Sequence, residues 1–341
     1  MKYTGIRILV TGGLGFIGSS VAVRLVREGA RVTVVDNSIQ GCGANRHNLA
    51  DVAGDVEVLD ADISEIGRWP EILRRTQIVF NLAGEISHTR SMEDPMRDLV
   101  LNTVSQLQFL LSLKDHAPGV RVVFAGTRQV YGKPQYLPLD ERHPLEPVDF
   151  NGIHKLAANH YHRLLSQTGA IDAITLRLTN VYGPRIALNQ PAQGVLGHFF
   201  KRALVGEDIA VFGDGKQLRD PLFVDDAVEA FLRAGLAPRL EQRTFNLGGS
   251  EALSIGVIAK HLATIGCCRL MLREFPEEHK AIDIGSYYTD SGRFREVFGW
   301  APHTPFVEGV RKTLEYFRER PEQYLSAAET AKVRSRANVA V

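Results

Sequence analysis

The sequence is poor in cysteine and carries almost no net charge. It has three cysteines, Cys42, Cys267 and Cys268, which form no C-x-x-C pair. Adjacent cysteines rarely bridge each other, so we expect a reduced cytoplasmic protein rather than a disulfide scaffold, and no metal site is indicated. Lys and Arg number 40 and Asp and Glu number 39, which gives a formal charge of +1. This balance excludes the strongly basic surface typical of proteins whose main partner is nucleic acid.

Long hydrophobic runs are missing as well. The first apolar run, Ile6–Val10, is too short for a membrane span or a signal peptide, and Gly12 and Gly13 follow it closely. No later stretch reaches spanning length, so we expect no membrane partner. The chain also has no internal repeat and no low-complexity segment.

Short apolar, β-branched runs alternate with amphipathic segments in the first half of the chain. The predicted strands are Ile6–Val10, Val32–Val35, Val56–Leu59, Ile78–Leu82, Val120–Ala125 and Ile171–Leu178. The predicted helices between them are Gly15–Glu28, Glu93–Asp115 and Asn151–Gln167. This alternation indicates a parallel sheet, and strands that are apolar at nearly every position are buried on both faces. The fold class is therefore α/β, a Rossmann-type doubly wound parallel sheet.

The alternation stops near residue 180, where glycine-rich turns begin to separate shorter elements. Two further helices are predicted beyond that point, Val224–Leu236 and Pro305–Glu319, each with acidic residues in its first turn. We expect a nucleotide-binding domain over residues 1–180, to which some later segments return, and a smaller C-terminal substrate-binding domain over residues 181–325. Residues 326–341 are small and polar and are expected to form a flexible tail.

A glycine motif lies between the first strand and the first helix. Gly12, Gly15 and Gly18 have the spacing G-x-x-G-x-x-G, with Phe16 and Ile17 inside the motif. Glycines permit a tight turn and close approach of the backbone to a pyrophosphate, and the helix N-terminus offers free N–H groups to the anion. Such spacing arises by chance, but a strand before it and an amphipathic helix after it indicate a dinucleotide site.

Further cofactor-binding candidates follow the next strands. Asp36, followed by Asn37, ends the second strand, where a carboxylate accepts hydrogen bonds from the adenosine ribose and repels a 2′-phosphate. This favours NAD over NADP, although a structural turn with a surface aspartate has the same pattern. At the carboxyl ends of the third and fourth strands we expect contacts to adenine and to the passing cofactor, or else only loop caps. The residues there are Asp62, Ile63, Leu82, Ala83 and Gly84.

The ordered motifs of this chain resemble those of the extended short-chain dehydrogenase/reductase family, specifically its NAD-dependent sugar-nucleotide epimerases and dehydratases. The resemblance runs from the glycine motif to about residue 320. The motifs are TGGLGFIG from Thr11, Asp62-Ile63, NLAG from Asn81, Ser91-x-x-x-Pro95, Asn102, Val130-Tyr131-Gly132, Glu141-x-x-Pro144-x-x-Pro147, Lys155, RLTNVYGPR from Arg177, Arg219-Asp220, Val224-Asp225-Asp226 and FNLG from Phe245.

The resemblance implies a set of catalytic residues, with one departure from the family pattern. Thr127 stands where the family hydrogen-bonds the sugar oxygen that is oxidised, and Lys155 stands where a lysine holds the nicotinamide ribose. Four residues before that lysine the family carries a tyrosine as general base, but this chain carries Asn151. An amide does not lose a proton near neutral pH, so the resemblance implies hydride chemistry with the general base unassigned.

Three interpretations of Asn151 remain open. It could position a substrate hydroxyl while Tyr131, His88 or a water activated by Lys155 takes the proton. Alternatively, the protein binds NAD and a sugar nucleotide with little turnover, as a binding partner. The third interpretation is an altered reaction, or a residue substituted to trap substrate. His88 could equally be a surface residue, and Tyr131 could simply pack near the site.

The two residues after Thr127 help to distinguish between the reactions of the family. Dehydratases of the family carry Asp-Glu there, whereas this chain has Arg128-Gln129, which cannot supply that acid and base. Epimerisation at C4 needs only removal and return of a hydride and therefore places the fewest requirements on the surrounding side chains. It is the leading reaction, with a dehydrogenase, decarboxylase or dehydratase as alternatives. Arg128 could meet a substrate carboxylate, as in a uronic-acid epimerase or decarboxylase, or it could bridge to a neighbouring loop.

The resemblance also implies a substrate and an assembly. Asn180 and Arg219 match positions that hold the diphosphate of a nucleotide-diphosphate sugar, and Arg185 could add a contact. Phe212 could line the base or sugar pocket or belong to the core, and a helix from about Gln193 is expected to close over the nucleotide. The segment 277–283 departs from the family, so UDP, GDP, dTDP and CDP all remain possible. The predicted helices near Glu93–Asp115 and Asn151–Gln167 are expected to form a homodimer.

Overall fold

A computed structural model describes residues 3–189, 194–274 and 283–337 of the chain. Its strands are β1 Arg7–Thr11, β2 Arg31–Asp36, β3 Val56–Asp60, β4 Ile78–Asn81, β5 Arg121–Thr127, β6 Asp172–Leu178, β7 Val181–Tyr182, β8 Ile209–Phe212, β9 Leu218–Arg219, β10 Leu222–Phe223, β11 Thr244–Leu247, β12 Leu253–Ser254 and β13 Leu270–Arg273. Seven of them form one parallel sheet in the order β11-β6-β5-β4-β1-β2-β3. This confirms the predicted Rossmann-type sheet.

Helices cover both faces of this sheet. They are α1 Phe16–Arg27, α2 Pro70–Arg75, α3 His88–Glu93, α4 Pro95–Leu99, α5 Ser105–His116, α6 Phe150–Gln167, α7 Gly194–Val205, α8 Val224–Gly235, α9 Ile255–Ile265, α10 Gly292–Phe298, α11 Phe306–Glu319, α12 Pro321–Tyr324 and α13 Ala327–Ala337. Short 3-10 turns span Arg46–Val52, Ile63–Arg68 and Arg128–Tyr131, and a π-helical turn, Val100–Val104, joins α4 to α5.

The first hydrophobic core has one layer on each face of the sheet. On one face, side chains of α1 and α8 such as Leu25 and Phe231 pack against alternate residues of β1 and β4. On the other face, Phe109 and Leu110 of α5 pack against Leu9 and Val79. Strands buried on both faces explain why the apolar runs in the sequence lack a polar alternation.

Later segments of the chain pack against the large parallel sheet. The strand β11 adds to the edge of the large sheet by pairing in parallel with β6, Phe245 opposite Leu176. The helix α8 packs on the sheet, and Phe294 and Trp300 belong to the same core. The strand β11 was not predicted, because Thr244 and Asn246 interrupt the continuous apolar run that marks the other strands of this sheet.

A second core lies among α7, α9 and α11, with Phe200, Ile258 and Leu314 buried in it. The predicted helix from about Gln193 corresponds to α7, which begins at Gly194, and Gln193 itself lies outside the described residues. The expectation of a flexible tail from residue 326 needs correction, because Ala327–Ala337 form a helix whose Val333 is buried in the second core. Lys201 of α7 also forms an ion pair with Glu329, at 2.8 Å. Across the three described ranges, no helix is long and apolar enough to cross a membrane.

Candidate active site

A cleft of about 320 Å³ opens at the carboxyl ends of the parallel strands, between the two cores. Ligands of doubly wound sheets bind at this edge. The predicted cofactor-binding residues all line the cleft: Gly12, Gly15, Phe16, Ile17, Gly18, Asp36, Asn37, Asp62, Ile63, Leu82, Ala83, Gly84 and Lys155. The cleft is also lined by four of the other predicted site residues, Thr127, His88, Arg128 and Asn180.

The glycine turn brings the backbone of β1, α1 and β4 close together. Gly12 has a φ of +64° and donates its N–H to the carbonyl of Val35 at 2.9 Å. A Cβ atom on Gly18 would lie 2.2 Å from the carbonyl oxygen of Gly12, and one on Gly12 would lie 2.9 Å from the backbone of Ala83. Gly15 caps α1 without a side-chain hydrogen bond, which leaves the helix N-terminus open to an anion. The turn therefore fits a pyrophosphate.

Asp36 lies buried at the end of β2. Its two carboxylate oxygens accept hydrogen bonds from the backbone N–H groups of Leu14, at 3.0 Å, and Ser38, at 2.9 Å. Burial raises the pKa of Asp36, although these two donors oppose the shift. Beside it, Asn37 donates to Asp62 at 2.6 Å, and Asp62 also accepts from the N–H of Ser64. The structure thus brings the predicted adenosine-side residues together.

Lys155 lies at the other end of the cleft, on α6. A Cβ atom on Gly84 would lie 2.6 Å from its Nζ atom, so the glycine lets the lysine approach the end of β4. Burial lowers the pKa of Lys155 to about 8, although the nearby carboxylates of Asp98 and Glu85 partly offset this. A buried ammonium group in this place fits the hydroxyls of a nicotinamide ribose.

Asn151 does not reach the cleft. It is fully buried, and its Nδ2 atom donates to the carbonyl of Glu85 at 3.0 Å and to Asp98 Oδ2 at 2.8 Å. The other oxygen of Asp98 accepts from His154 Nδ1 at 2.7 Å. The Oδ1 atom of Asn151 is buried without a hydrogen-bond partner. The structure therefore places Asn151 in a link between α6 and α4 rather than against a substrate.

Tyr131 is also buried away from the cleft. Its hydroxyl donates to Asn246 Oδ1 at 2.6 Å and accepts from Arg177 at 2.7 Å. Burial raises the pKa of Tyr131, although the Arg177 charge opposes the shift. Both hydrogen-bonding capacities of this phenol are used inside the core, so the structure does not bring it to the reacting atoms.

His88 lies in the cleft at the N-terminus of α3. Its Nδ1 atom donates to Asp149, and its Nε2 atom accepts from the side-chain amide of Gln129. Asp149 is buried and also accepts from the N–H of Gly152, at 2.7 Å, as the N-cap of α6. Burial would raise the pKa of Asp149, but the hydrogen bonds from His88 and from the N–H of Gly152 outweigh it and hold the pKa below its usual range. Thr127, at the end of β5, accepts from the N–H of Gln129 at 3.3 Å.

The cationic end of the cleft contains unsatisfied polar atoms. Arg128 lies over the ring of Tyr287, with 5.0 Å from its Cζ atom to the ring centre, and its Nη1 atom is buried without a hydrogen-bond partner. The Oδ1 atom of Asn180 is likewise buried and unpartnered. Arg219 does not line the cleft but lies near Arg128, and it donates to the carbonyls of Leu218 and Gly285. Burial, together with the charge of Arg128, lowers the pKa of Arg219 to about 10.

Two further predicted substrate residues also lie outside the cleft lining. Arg185 donates to the carbonyl of Asn48 at 3.0 Å and packs over Tyr316. Phe212, at the end of β8, is 46% exposed, and neither residue lines the cleft. Their predicted contacts with substrate therefore have no counterpart in this cleft.

Two buried carboxylates at the cleft, Glu85 and Asp149, were not identified from the sequence. Glu85 is buried in the cleft wall and accepts from Arg90 at 3.2 Å and from the thiol of Cys42 at 3.2 Å. Asp149 could have been found as a helix N-cap from the Asp-Phe-Asn pattern before α6. No local signal pairs Asp149 with His88, because the two residues are 61 positions apart.

Known proteins resemble this chain along nearly its whole length. The profile of the NAD dependent epimerase/dehydratase family matches residues 8–248. A UDP-glucose 4-epimerase of Mycolicibacterium smegmatis is 34% identical over 323 residues, which cover 93% of this chain and 100% of that protein. A UDP-N-acetyl-alpha-D-glucosaminuronate decarboxylase of Bacillus cytotoxicus is 29% identical over 329 residues, 92% of this chain and 98% of that protein.

A solved structure is likewise similar along nearly the whole chain. The UDP-glucose 4-epimerase of Thermus thermophilus in complex with NAD superposes with a TM-score of 0.81 and 27% identity. The match covers 92% of this chain and 100% of that chain. The similarity therefore includes both the parallel sheet and the second core.

Proposed function

This chain belongs to the NAD-dependent epimerase/dehydratase family, and we propose that it epimerises the sugar of a nucleotide diphosphate at C4, through a transient keto sugar. The observation that carries the proposal is the convergence of Thr127 and Lys155 with the glycine turn and Asp36 on one cleft. The name of the M. smegmatis relative supports both the reaction and UDP as the nucleotide.

Each residue has a distinct task in this proposal. The glycine turn and the N-terminus of α1 bind the pyrophosphate of NAD, and Asp36 binds the adenosine ribose. Lys155 holds the nicotinamide ribose, and the Thr127 hydroxyl donates a hydrogen bond to the sugar oxygen. NAD, when bound, supplies reversible acceptance of a hydride. Arg128 and Gln129 cannot act as an acid and base pair, which argues against dehydration.

The proposal is tested by incubating the purified protein with NAD and a panel of UDP-, dTDP-, GDP- and CDP-sugars and by identifying products with NMR. Inversion at C4 of a sugar nucleotide supports the proposal. Binding heat without any product, and without NADH absorbance, supports a binding protein of the same fold, the alternative that the non-ionisable Asn151 suggests. A product that has lost water or carbon dioxide identifies another reaction of the family.

A second candidate is epimerisation or decarboxylation of a sugar that carries a carboxylate. Arg128 favours it, because its buried Nη1 atom has no partner and no ion pair neutralises it within the described residues. A guanidinium fork suits a carboxylate. The B. cytotoxicus relative is named for such a substrate, which supports the candidate.

We further propose that the protein is a homodimer. The helical segment from Pro95 to His116 and the neighbouring α6 each expose apolar side chains at helical spacing. Their exposed fractions are 66% for Met96, 49% for Val100, 41% for Val104, 43% for Leu111, 48% for Ile153 and 56% for Leu164. A second copy that packs the same two helices would cover this face.

The three free cysteines suit a cytoplasmic location.

A further inference from the structure

We propose that His88, held by Asp149, is the group that takes the proton from the sugar hydroxyl. The inference rests on the proposed function. It assigns the role of general base, for which this chain lacks the tyrosine of the family. Asn151 carries no ionisable proton and faces away from the cleft. Within the described part of the cleft wall, His88 is the only histidine.

The carboxylates and the thiol that line the cleft are less suited to this role. Asp36 and Asp62 lie at the adenosine end, where both accept backbone N–H groups. Glu85 already accepts from Arg90, from Cys42 and from the N–H of Ile86 at 3.0 Å. Burial, together with the charge of Glu85, raises the pKa of Cys42 to about 12, so its thiol does not accept protons near neutral pH.

The His88 ring is oriented as a base requires. Its Nδ1–H donates to the buried carboxylate of Asp149, which leaves the lone pair on Nε2 as the proton acceptor. Asp149 is itself fixed, because its second oxygen caps α6 through Gly152. The backbone of His88 is held by the hydroxyl of Ser91, which donates to its carbonyl at 2.7 Å.

The acceptor atom also lies beside the turn that follows Thr127. Nε2 of His88 contacts the amide of Gln129, and Gln129 donates its backbone N–H to Thr127 Oγ1. His88 and the Thr127 hydroxyl therefore flank one short turn at the end of β5. A sugar hydroxyl that hydrogen-bonds Thr127 can replace the Gln129 amide as the partner of Nε2.

The proposed step balances in atoms and electrons. The O–H bond of the sugar hydroxyl breaks, and its proton moves to His88 Nε2 while the carbonyl forms. The C–H bond of the same carbon breaks, and its electron pair leaves as hydride to NAD, the cofactor of the family. Asp149 stabilises the imidazolium, which returns its proton when the hydride comes back to the opposite face of the sugar.

The test uses the full chain with NAD and the sugar nucleotide that it turns over. His88→Ala is expected to lower kcat by about 100-fold or more with KM and NAD affinity nearly unchanged, because general-base catalysis contributes roughly that factor. Added imidazole is expected to restore part of the rate, which it cannot do for a structural defect. His116→Ala, at the C-terminal end of α5, is the matched control and should leave kcat unchanged.

Two further variants separate catalysis from folding. His88→Gln keeps a hydrogen bond to Asp149 but cannot act as a base, so its melting temperature should match the parent while kcat stays low. Asp149→Asn keeps the cap on Gly152 and should lower kcat without raising KM. A His88→Ala protein within about twofold of the parental kcat would overturn the assignment and leave the proposed function intact. A parent without turnover on any sugar nucleotide overturns both.

Discussion

Asn151 Nδ2 lies 2.8 Å from Asp98 Oδ2, so the residue in the position of the expected general base is hydrogen-bonded to a buried carboxylate. The same carboxylate accepts from His154, and Lys155 follows it along α6. Asn151 thus has a structural role between two helices. The fold and the cofactor cleft are therefore retained, and in the proposed reaction the proton transfer falls to a residue other than Asn151.

The link between Asn151 and Asp98 predicts a pH-dependent stability defect. Asn151→Asp places a second carboxyl against Asp98, and the repulsion raises the pKa of the new carboxyl. Near neutral pH we expect the free energy of unfolding to fall by about 3 kcal/mol, and by less in acid, where the protonated carboxyl can donate to Asp98. Urea unfolding at about pH 5.5 and about pH 8 measures this difference.

Asn159→Asp is the control for that variant. Asn159 lies on the same helix, but its Oδ1 atom accepts from Arg177 at 3.0 Å, so the new carboxylate gains a cation. An equal loss at both pH values for Asn151→Asp contradicts the proposed repulsion.

The crowding of the glycine turn predicts loss of cofactor binding. In Gly18→Ala the new Cβ would lie 2.2 Å from the carbonyl oxygen of Gly12, so the turn must shift. We expect a lower melting temperature and NAD affinity reduced by more than about tenfold, because the pyrophosphate contacts depend on this turn. Gly54→Ala meets nothing within 4 Å and should bind NAD normally. Unchanged NAD affinity in Gly18→Ala, measured by calorimetry, argues against the site.

Lys155 predicts a pH dependence of cofactor binding. Its pKa is lowered to about 8 mainly by burial, so its charge is lost as the pH rises through that value. We expect NAD affinity to fall several-fold between about pH 7 and about pH 9.5, whereas Lys155→Arg, which stays charged, should show a flatter profile. A parental profile as flat as that of the arginine variant contradicts the role.

Lys155 also affects the stability of the ligand-free protein, which should rise with pH over the range in which NAD affinity falls. The unfolded chain has the ordinary lysine pKa of 10.5 and therefore binds more protons than the folded protein between about pH 8 and that value. As far as Lys155 is concerned, the free energy of unfolding therefore rises with pH across this window. Thermal melts of the parent and of Lys155→Met, compared over the same range, measure the difference.

The unpartnered Arg128 predicts selectivity for a carboxylate-bearing sugar. If such a sugar is the substrate, Arg128→Gln should raise its KM about tenfold or more and leave the affinity for UDP alone unchanged, because a charge-assisted pair contributes roughly 1.5–3 kcal/mol. Arg219→Gln is expected to weaken UDP and every UDP-sugar together. If Arg128→Gln weakens UDP as strongly as the uronic sugar, Arg128 binds the diphosphate.

The exposed apolar face predicts a dimer that one charge disrupts. Leu164 is 56% exposed on α6, and Leu164→Glu should convert a dimer into a monomer in light scattering. Val297, 43% exposed on α10 outside this face, is the matched position, and Val297→Glu should remain dimeric. A parent that is monomeric at all concentrations rules out the homodimer.

The sequence by itself determined the parallel sheet, the glycine turn and the cofactor side of the cleft. These features depend on local order, since a strand, a G-x-x-G-x-x-G turn, a helix and then Asp36 follow one another within a single unit. The helices α1, α6, α8 and α11 were also predicted nearly to their ends, because their apolar residues repeat at helical spacing. The helix α9 was not predicted, and the predicted helix Glu93–Asp115 is divided by the π-helical turn Val100–Val104. The four-residue strand β11 and the helix Ala327–Ala337 were missed, because tertiary packing rather than local pattern stabilises them.

Only the tertiary structure decided which side chains meet in the cleft. The contact between His88 and Asp149 joins the start of α3 to the cap of α6, and the inward turn of Asn151 depends on Asp98, 53 positions away. Tyr131, which the sequence offered as a base, is bound to Asn246 and Arg177 in the core. Spacing along a helix predicts which residues share a face. The hydrogen-bond partners of a side chain, however, depend on which other elements of the fold pack against that face.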